Sequence, residues 1–79
     1  MTDKAWQAGW VVEVTRMANA PGEVTQTVYF DVAIRTASEA IAVATRKSGA
    51  VGAIGRTVRP LSSDEIEFIG LKVGEVRPS

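Results

Sequence analysis

The chain has 79 residues, a length that predicts one small domain, because so short a chain has room for a single hydrophobic core. It contains no cysteine and no histidine, which excludes disulfide bridges, zinc sites built on thiolates and catalysis by imidazole. Nine basic residues balance nine acidic ones, so no overall electric field attracts nucleic acid or an anionic membrane.

Both ends of the chain are expected to be loose, over residues 1–8 and 75–79. Asp3 and Lys4 have no apolar run behind them, so these first residues lack the pattern of a secretory signal. No stretch approaches the roughly 20 apolar residues that a membrane-spanning helix needs. The sequence therefore predicts a cytoplasmic protein that does not contact a membrane.

Two stretches alternate between apolar and polar residues, which is the pattern of strands with one buried and one exposed face. The first covers residues 10–17 and the second covers residues 24–35. Between them, Pro21 and Gly22 have the backbone preferences of a tight turn, so the strands are expected to form a hairpin. In the second strand the core face carries Val24, Val28, Phe30, Val32 and Ile34, and the exposed face carries Thr25, Thr27, Tyr29, Asp31 and Arg35.

The segment that follows has the signals of a helix at both ends. Thr36 is placed as the N-cap, and Glu39 three residues later predicts a capping box. Arg46 and Lys47 fall in the last turn, where the helix dipole favours cations, and Gly49 suits the left-handed position just past the end. The predicted buried stripe is Ala37, Ala40, Ile41 and Ala44, small side chains that let a helix lie close to a sheet.

Gly49, Gly52 and Gly55 follow this helix at a spacing of three residues, which suggests either a phosphate-binding loop or the exit from a helix into a strand. Phosphate loops precede a helix, so that its positive end faces the anion. Here the glycines follow the negative end and lead into residues 56–60, a short strand. The order favours a structural role, with the glycines permitting a cap and tight or bulged backbone.

The last quarter of the chain has two interpretations. As a helix it begins with a capping box of Ser62 and Glu65 and ends at Gly70, with Leu71 placed against Ile66. As a strand its apolar residues alternate with one slip of register at Gly70. For the ambiguous residues 62–73, the capping signals favour a short helix that begins at Ser62 and stops at Gly70.

The predicted order is β-β-α-β followed by a short C-terminal helix or strand. The expected fold is therefore a two-layer α+β domain, with an antiparallel sheet of three or four strands and one main helix on one face. In outline, a hairpin followed by an alanine-rich helix and a basic strand resembles many short bacterial proteins and small ribosome-associated proteins. No functional motif is matched residue by residue, so the resemblance implies no site.

Catalytic chemistry has little support in the sequence. Without histidine or cysteine, the titratable groups are carboxylates, lysines and Tyr29, and none is arranged as an acid–base pair or an activated nucleophile. Asp64, Glu65 and Glu67 suggest a metal site with Asp31, but acids are expected at a helix start because of the dipole. We therefore predict a protein that is not an enzyme and holds no cofactor or metal.

Four basic residues form the first candidate binding site. Residues 40–63 contain Arg46, Lys47, Arg56 and Arg59 and no acidic residue, so this segment has a net positive charge. Such a patch suits the phosphates of RNA, and Tyr29 on an open sheet face suits base stacking. The simpler interpretation is that two of these residues complement a helix end and two protect a strand edge. Weak nucleic-acid binding is thus the alternative function.

The face of the sheet that the main helix does not cover is the second candidate. Its predicted members are Val11, Glu13, Tyr29, Asp31 and Arg35, which mix apolar and charged side chains. Such a face, or an exposed edge strand, binds partner proteins or a second copy in other small domains. The sequence therefore favours an interaction domain that contacts a protein partner or forms a weak homodimer.

Overall fold

The computed structural model describes residues 7–16, 25–49 and 52–79. In chain order its elements are β1 (Gln7–Arg16), β2 (Gln26–Val32), α1 (Ala37–Ser48), β3 (Ile54–Ser62), α2 (Ser63–Phe68) and β4 (Val76–Pro78). The strands form one antiparallel sheet in the order β3-β1-β2-β4. The predicted α+β class and its main helix are confirmed, while the turn at Pro21 and Gly22 lies outside the described residues.

The main core lies between the sheet and α1. Strand pairing sets Val12 opposite Phe30 and Val14 opposite Val28, so the alternating apolar residues of both strands share the face that α1 covers. Ala40 and Ala44 are fully buried against them, and these small side chains allow α1 to lie close to the sheet. The alternation read from the sequence thus predicts the core face of both strands, although Val28 on that face is 47% exposed.

The two ends of α1 differ in how well they were predicted. Thr36 is the N-cap, but its side chain makes no capping hydrogen bond, so the predicted capping box with Glu39 is wrong. Both residues are exposed, and water at the surface satisfies amides of a first turn without a side chain. Gly49 ends the helix with φ 72° and donates its N–H to the Arg46 carbonyl at 3.1 Å, as expected.

Gly55 shows why the glycine run is structural. A Cβ atom at this position would lie 2.7 Å from the Thr45 Oγ1 and 3.0 Å from the Ile41 Cγ2, because α1 passes directly over β3 there. Gly49 caps α1 and Gly52 has φ 76°, as expected, whereas Gly55 allows the close approach of α1 and not the tight or bulged backbone that the sequence suggested. The glycines follow α1 and lead into β3, so they lack the strand–loop–helix order of a phosphate-binding loop.

The last quarter forms the short helix that capping signals favoured. The Ser62 Oγ accepts from the Glu65 N–H at 3.1 Å, and the Glu65 Oε1 accepts from the Ser62 N–H at 3.0 Å. Gly70 has φ 73°, and the Leu71 N–H donates to the Ile66 carbonyl at 3.0 Å. This i to i−5 bond is the Schellman closure that the sequence indicated.

The expectation of loose ends differs from the structure at both termini. Val76–Pro78 forms β4, which pairs with β2 through Val32, Asp31 and Phe30. The Gly74 N–H and the Glu75 carbonyl both bond to Ala33, and these two bonds bring the chain back beside β2. At the other end, residues 7 and 8 already belong to β1, and residues 1–6 lie outside the described part.

The second face of the sheet is half covered, whereas the sequence predicted it to be bare. A second apolar cluster forms there because α2 and the segment after it pack on apolar side chains of β1 and β3. Its buried members are Val11, Ala33, Leu61, Ile66 and Leu71. The sheet therefore carries α1 over one face and α2 over one end of the other face.

Candidate functional site

The uncovered end of the second face carries a row of three linked side chains. Glu13 of β1 lies opposite Tyr29 of β2 and Arg56 of β3, so strand register places the three side by side. The Tyr29 hydroxyl donates to the Glu13 Oε2 at 3.0 Å, and the Arg56 Nε donates to the Glu13 Oε1 at 2.6 Å. Both carboxylate oxygens of Glu13 are thus occupied.

These hydrogen bonds move the pKa values of Glu13 and Tyr29 further from neutral pH. The bond from Arg56 and then the bond from Tyr29 lower the pKa of Glu13 below its ordinary value. The bond to the Glu13 carboxylate raises the pKa of Tyr29, and the same partner raises the pKa of Arg56. At neutral pH the carboxylate is charged and the phenol is protonated, so this row has no group poised for acid–base catalysis.

A groove lies beside this row, between the sheet and α2. Its volume is about 530 Å³, and its apolar lining comes from Val11 and Leu61 in the sheet and from Phe68 and Ile69 at the end of α2. Val11 and Leu61 are 9% and 3% exposed, whereas Phe68 is 91% exposed. The groove, which we call the α2 groove, thus has a packed apolar floor and a free aromatic ring at its side.

Charged side chains border the α2 groove on both sides. Asp31 comes from β2, and Asp64 and Glu65 come from α2. The Arg59 Nη1 pairs with the Glu65 Oε2 at 3.1 Å, but neither aspartate forms an ion pair with any residue the structure describes. Although three carboxylates line the groove, residues 7–16, 25–49 and 52–79 contain no group of acidic side chains arranged to hold a metal ion.

Of the three side-chain carboxylates that line the α2 groove, Glu65 is the one that already has an ion-pair partner. The backbone N–H of Ser62 and then the guanidinium of Arg59 lower its pKa, because both interactions favour the charged form. Arg77, which lies opposite Asp31 in the β2–β4 pair, directs its guanidinium to the carbonyls of Ile69 and Gly70. The α2 groove therefore has Asp31 and Asp64 as its two aspartates outside the ion pairs.

The five residues of the predicted binding face lie in three places, namely the α2 groove, the row of linked side chains and a second hollow. Val11 is buried in the floor of the α2 groove, Asp31 is at its border, and Glu13 and Tyr29 form the row beside it. Arg35 lines a second hollow of about 360 Å³, together with Ala8, Ala33, Ile66 and Val73. The predicted face is therefore a set of neighbours around α2 and not one flat surface.

The four predicted basic residues do not form one patch of unpaired charge. Arg56 is paired with Glu13 and Arg59 with Glu65, both on the second face of the sheet. Arg46 and Lys47 are exposed in the last turn of α1, which covers the other face. Two of the four charges are thus neutralised locally, and the remaining two belong to the opposite layer.

Strand β3, one of the two edge strands of the sheet, has two features that oppose pairing with another strand. β3 has a register shift opposite Val11 and Val12, which leaves Val58 without a partner in β1. Pro60 in the same strand has no N–H to donate. A bulge and a proline are two of the devices that keep edge strands from adding to another sheet.

Phe68 and Leu61, which line the α2 groove, are not among the site residues that the sequence predicted. A signal for Phe68 was present, since a residue two positions from the buried Ile66 lies on the opposite side of a helix. Leu61 has no such local signal, because its place in the groove depends on its pairing with Gly9 across the β1–β3 register.

Comparisons with known proteins found no relative from which a function could be proposed. No protein-family model, no curated protein and no solved structure matches this chain. In the part of the chain that the structure describes, no helix is long and apolar enough to cross a membrane.

Proposed function

We propose that this chain is a small non-enzymatic interaction domain that binds a protein partner at the α2 groove. The observation that carries the proposal is Phe68, an aromatic side chain 91% exposed beside an apolar floor. Aromatic side chains next to apolar pockets supply much of the binding energy in protein interfaces. Covering Phe68 removes its apolar surface from water, which favours association.

A protein partner fits the surface better than a nucleic acid. Carboxylates of Asp31 and Asp64 border the groove, and they repel phosphates. The carboxylates of Glu13 and Glu65, which pair with Arg56 and Arg59, repel a phosphate that approaches these arginines. Weak RNA binding through Arg46 and Lys47 has less support, because two basic side chains provide little salt-sensitive attraction.

The face of α2 is also a better candidate than the edge of β3. The bulge at Val58 and Pro60 oppose the addition of a strand, whereas nothing in the described residues covers Phe68. The partner is therefore expected to contact side chains of α2 and the floor of the sheet, with little backbone pairing.

Site-specific crosslinking tests this function. A photoreactive residue at position 68 is expected to crosslink one defined partner, while the same residue at the exposed position of Ala42 on α1 gives no such product. The identified partner is then purified and titrated against the chain by calorimetry. Phe68→Ser is expected to keep the fold, because the ring is exposed, and to weaken binding roughly tenfold or more.

Two results would contradict the proposal. One is identical products from positions 68 and 42, with a purified partner that binds Phe68→Ser as tightly as the unchanged chain. The other is binding of labelled single-stranded RNA at low salt that the Phe68→Ser variant keeps in full, together with no protein partner. Sedimentation over a concentration series shows whether the partner is a second copy.

A further inference from the structure

The charge of the α2 groove points to the chemistry of what it binds, given the proposed function. We propose that it takes a peptide segment in which an apolar side chain is flanked by lysine or arginine. The apolar side chain would lie on Val11 and Leu61 beside Phe68. The flanking cations would face Asp31 and Asp64.

The size of the groove suits such a segment. Its volume of about 530 Å³ lies within the range of roughly 300–1,000 Å³ that holds one small molecule. That is room for one or two side chains and not for a folded surface. The apolar lining from the sheet and α2 excludes water around an inserted apolar group, and this burial supplies the affinity.

The charges supply the selectivity. Three side-chain carboxylates, one guanidinium and Ser79 line the groove, and Glu65 already has Arg59 and the Ser62 N–H as partners. Asp31 and Asp64 belong to different elements, β2 and α2, so they border the groove from the sheet and from the helix. A cationic side chain gains an ion pair with either, whereas an anionic one meets like charge.

Three short amidated peptides test the proposal directly. The first, Gly-Lys-Phe-Lys-Gly, has the proposed chemistry; Gly-Glu-Phe-Glu-Gly reverses the charge; Gly-Lys-Ala-Lys-Gly removes the apolar anchor. In an amide NMR titration of the labelled chain, the first peptide is expected to shift Val11, Leu61 and Ile69. It is expected to bind roughly tenfold more tightly than either of the others, and to weaken as salt is added.

Matched variants assign the selectivity to the two aspartates. Asp31→Asn with Asp64→Asn is expected to bind the lysine and glutamate peptides about equally, because the charge is lost while size and polarity are kept. Glu67→Gln removes an exposed carboxylate of α2 that does not line the groove, and it is expected to keep the full preference. The amide spectra of both variants report whether the fold is intact.

The inference and the proposed function fail in different ways. Equal binding of the lysine and glutamate peptides, or shifts spread over α1, would overturn the inference while a partner crosslinked at position 68 still supports the function. A crosslinked second copy whose binding ignores Asp31→Asn would also overturn the inference, because the occupant would then be this chain itself. If position 68 gives no crosslinked partner but the chain still prefers the lysine peptide, the proposed function is wrong and the inference about the groove is still supported.

Discussion

The hydroxyl of Tyr29 is held by a carboxylate that also binds a guanidinium. Ionising this tyrosine would break its hydrogen bond to Glu13 and place a negative charge beside that carboxylate, and these two effects raise the pKa of Tyr29. We expect Glu13→Gln to lower the pKa of Tyr29 toward the ordinary value of about 10. Because the chain has a single tyrosine, the absorbance of tyrosinate reports on Tyr29 alone.

Two companion variants separate the charge of Glu13 from general effects of mutation. Arg56→Gln removes a positive charge that favours ionised Tyr29, so it is expected to move the pKa of Tyr29 in the opposite direction from Glu13→Gln. Glu67→Gln, on the exposed side of α2, is expected to leave the tyrosine titration unchanged. An unchanged titration in Glu13→Gln would show that the hydrogen bond is not formed in solution.

The two helices differ in whether a side chain caps the backbone N–H groups of their first turn. This difference is expected to have a measurable effect on stability. Ser62 accepts a hydrogen bond from the Glu65 N–H, whereas Thr36 makes no side-chain cap. Ser62→Ala is expected to lower the free energy of unfolding by about 0.5–2 kcal/mol. Thr36→Ala is expected to cost less, since it removes no capping bond. Urea unfolding of both variants makes the comparison, and an equal or larger loss for Thr36→Ala would contradict it.

The contact between α1 and β3 sets a limit on side-chain size. A methyl group at position 55 would meet the Thr45 Oγ1 at 2.7 Å, so Gly55→Ala is expected to destabilise the fold by roughly 1–3 kcal/mol. Thr45→Ala removes that oxygen and is expected to recover part of the loss in the double variant. A double-mutant cycle by urea unfolding measures this coupling. Strictly additive effects would show that the two elements are not in contact here.

At the scale of elements, the sequence predicted what local pattern controls. Alternation in residues 10–17 and 24–35 placed the core face of β1 and β2, and the Ser62–Glu65 pair predicted the start of α2. β4 was missed because three residues, Val76–Pro78, are too short to show a period and include a proline. Its pairing with β2 depends on the turn at residues 72–75, where the Lys72 carbonyl accepts from the Glu75 N–H.

For the molecule as a whole, the candidate site was predictable only in part. The alternation of apolar and polar residues in β2 predicted that Tyr29 and Asp31 lie on the face away from α1, and both lie there. Arg56 and its partner Glu13 are 43 residues apart in the chain, and the register that joins them is set by the β1–β3 pairing. No local pattern contains such information, so the sequence suggested a basic patch where the fold forms ion pairs.

The hydrogen bonds and ion pairs of Glu13 and Glu65 link the stability of the whole fold to acid pH. Glu13 and Glu65 both have a folded pKa below the ordinary 4.5, so each favours the folded state while it is ionised. Their contribution is fully present above the unfolded pKa and is lost as the pH falls through the lower, folded pKa. The free energy of unfolding is therefore expected to decrease as the pH is lowered below about 4.5, in urea melts at a series of pH values.

A variant that lacks the charges of Glu13 and Glu65 tests the origin of this acid sensitivity. Glu13→Gln with Glu65→Gln keeps side-chain length, and glutamine still serves in a capping box. This double variant is expected to lose less stability than the unchanged chain over the same acid range, while Glu67→Gln follows the unchanged chain. If the double variant unfolds with the same pH dependence, the ion pairs with Arg56 and Arg59 do not couple folding to protonation. The acid sensitivity would then come from other carboxylates of the chain.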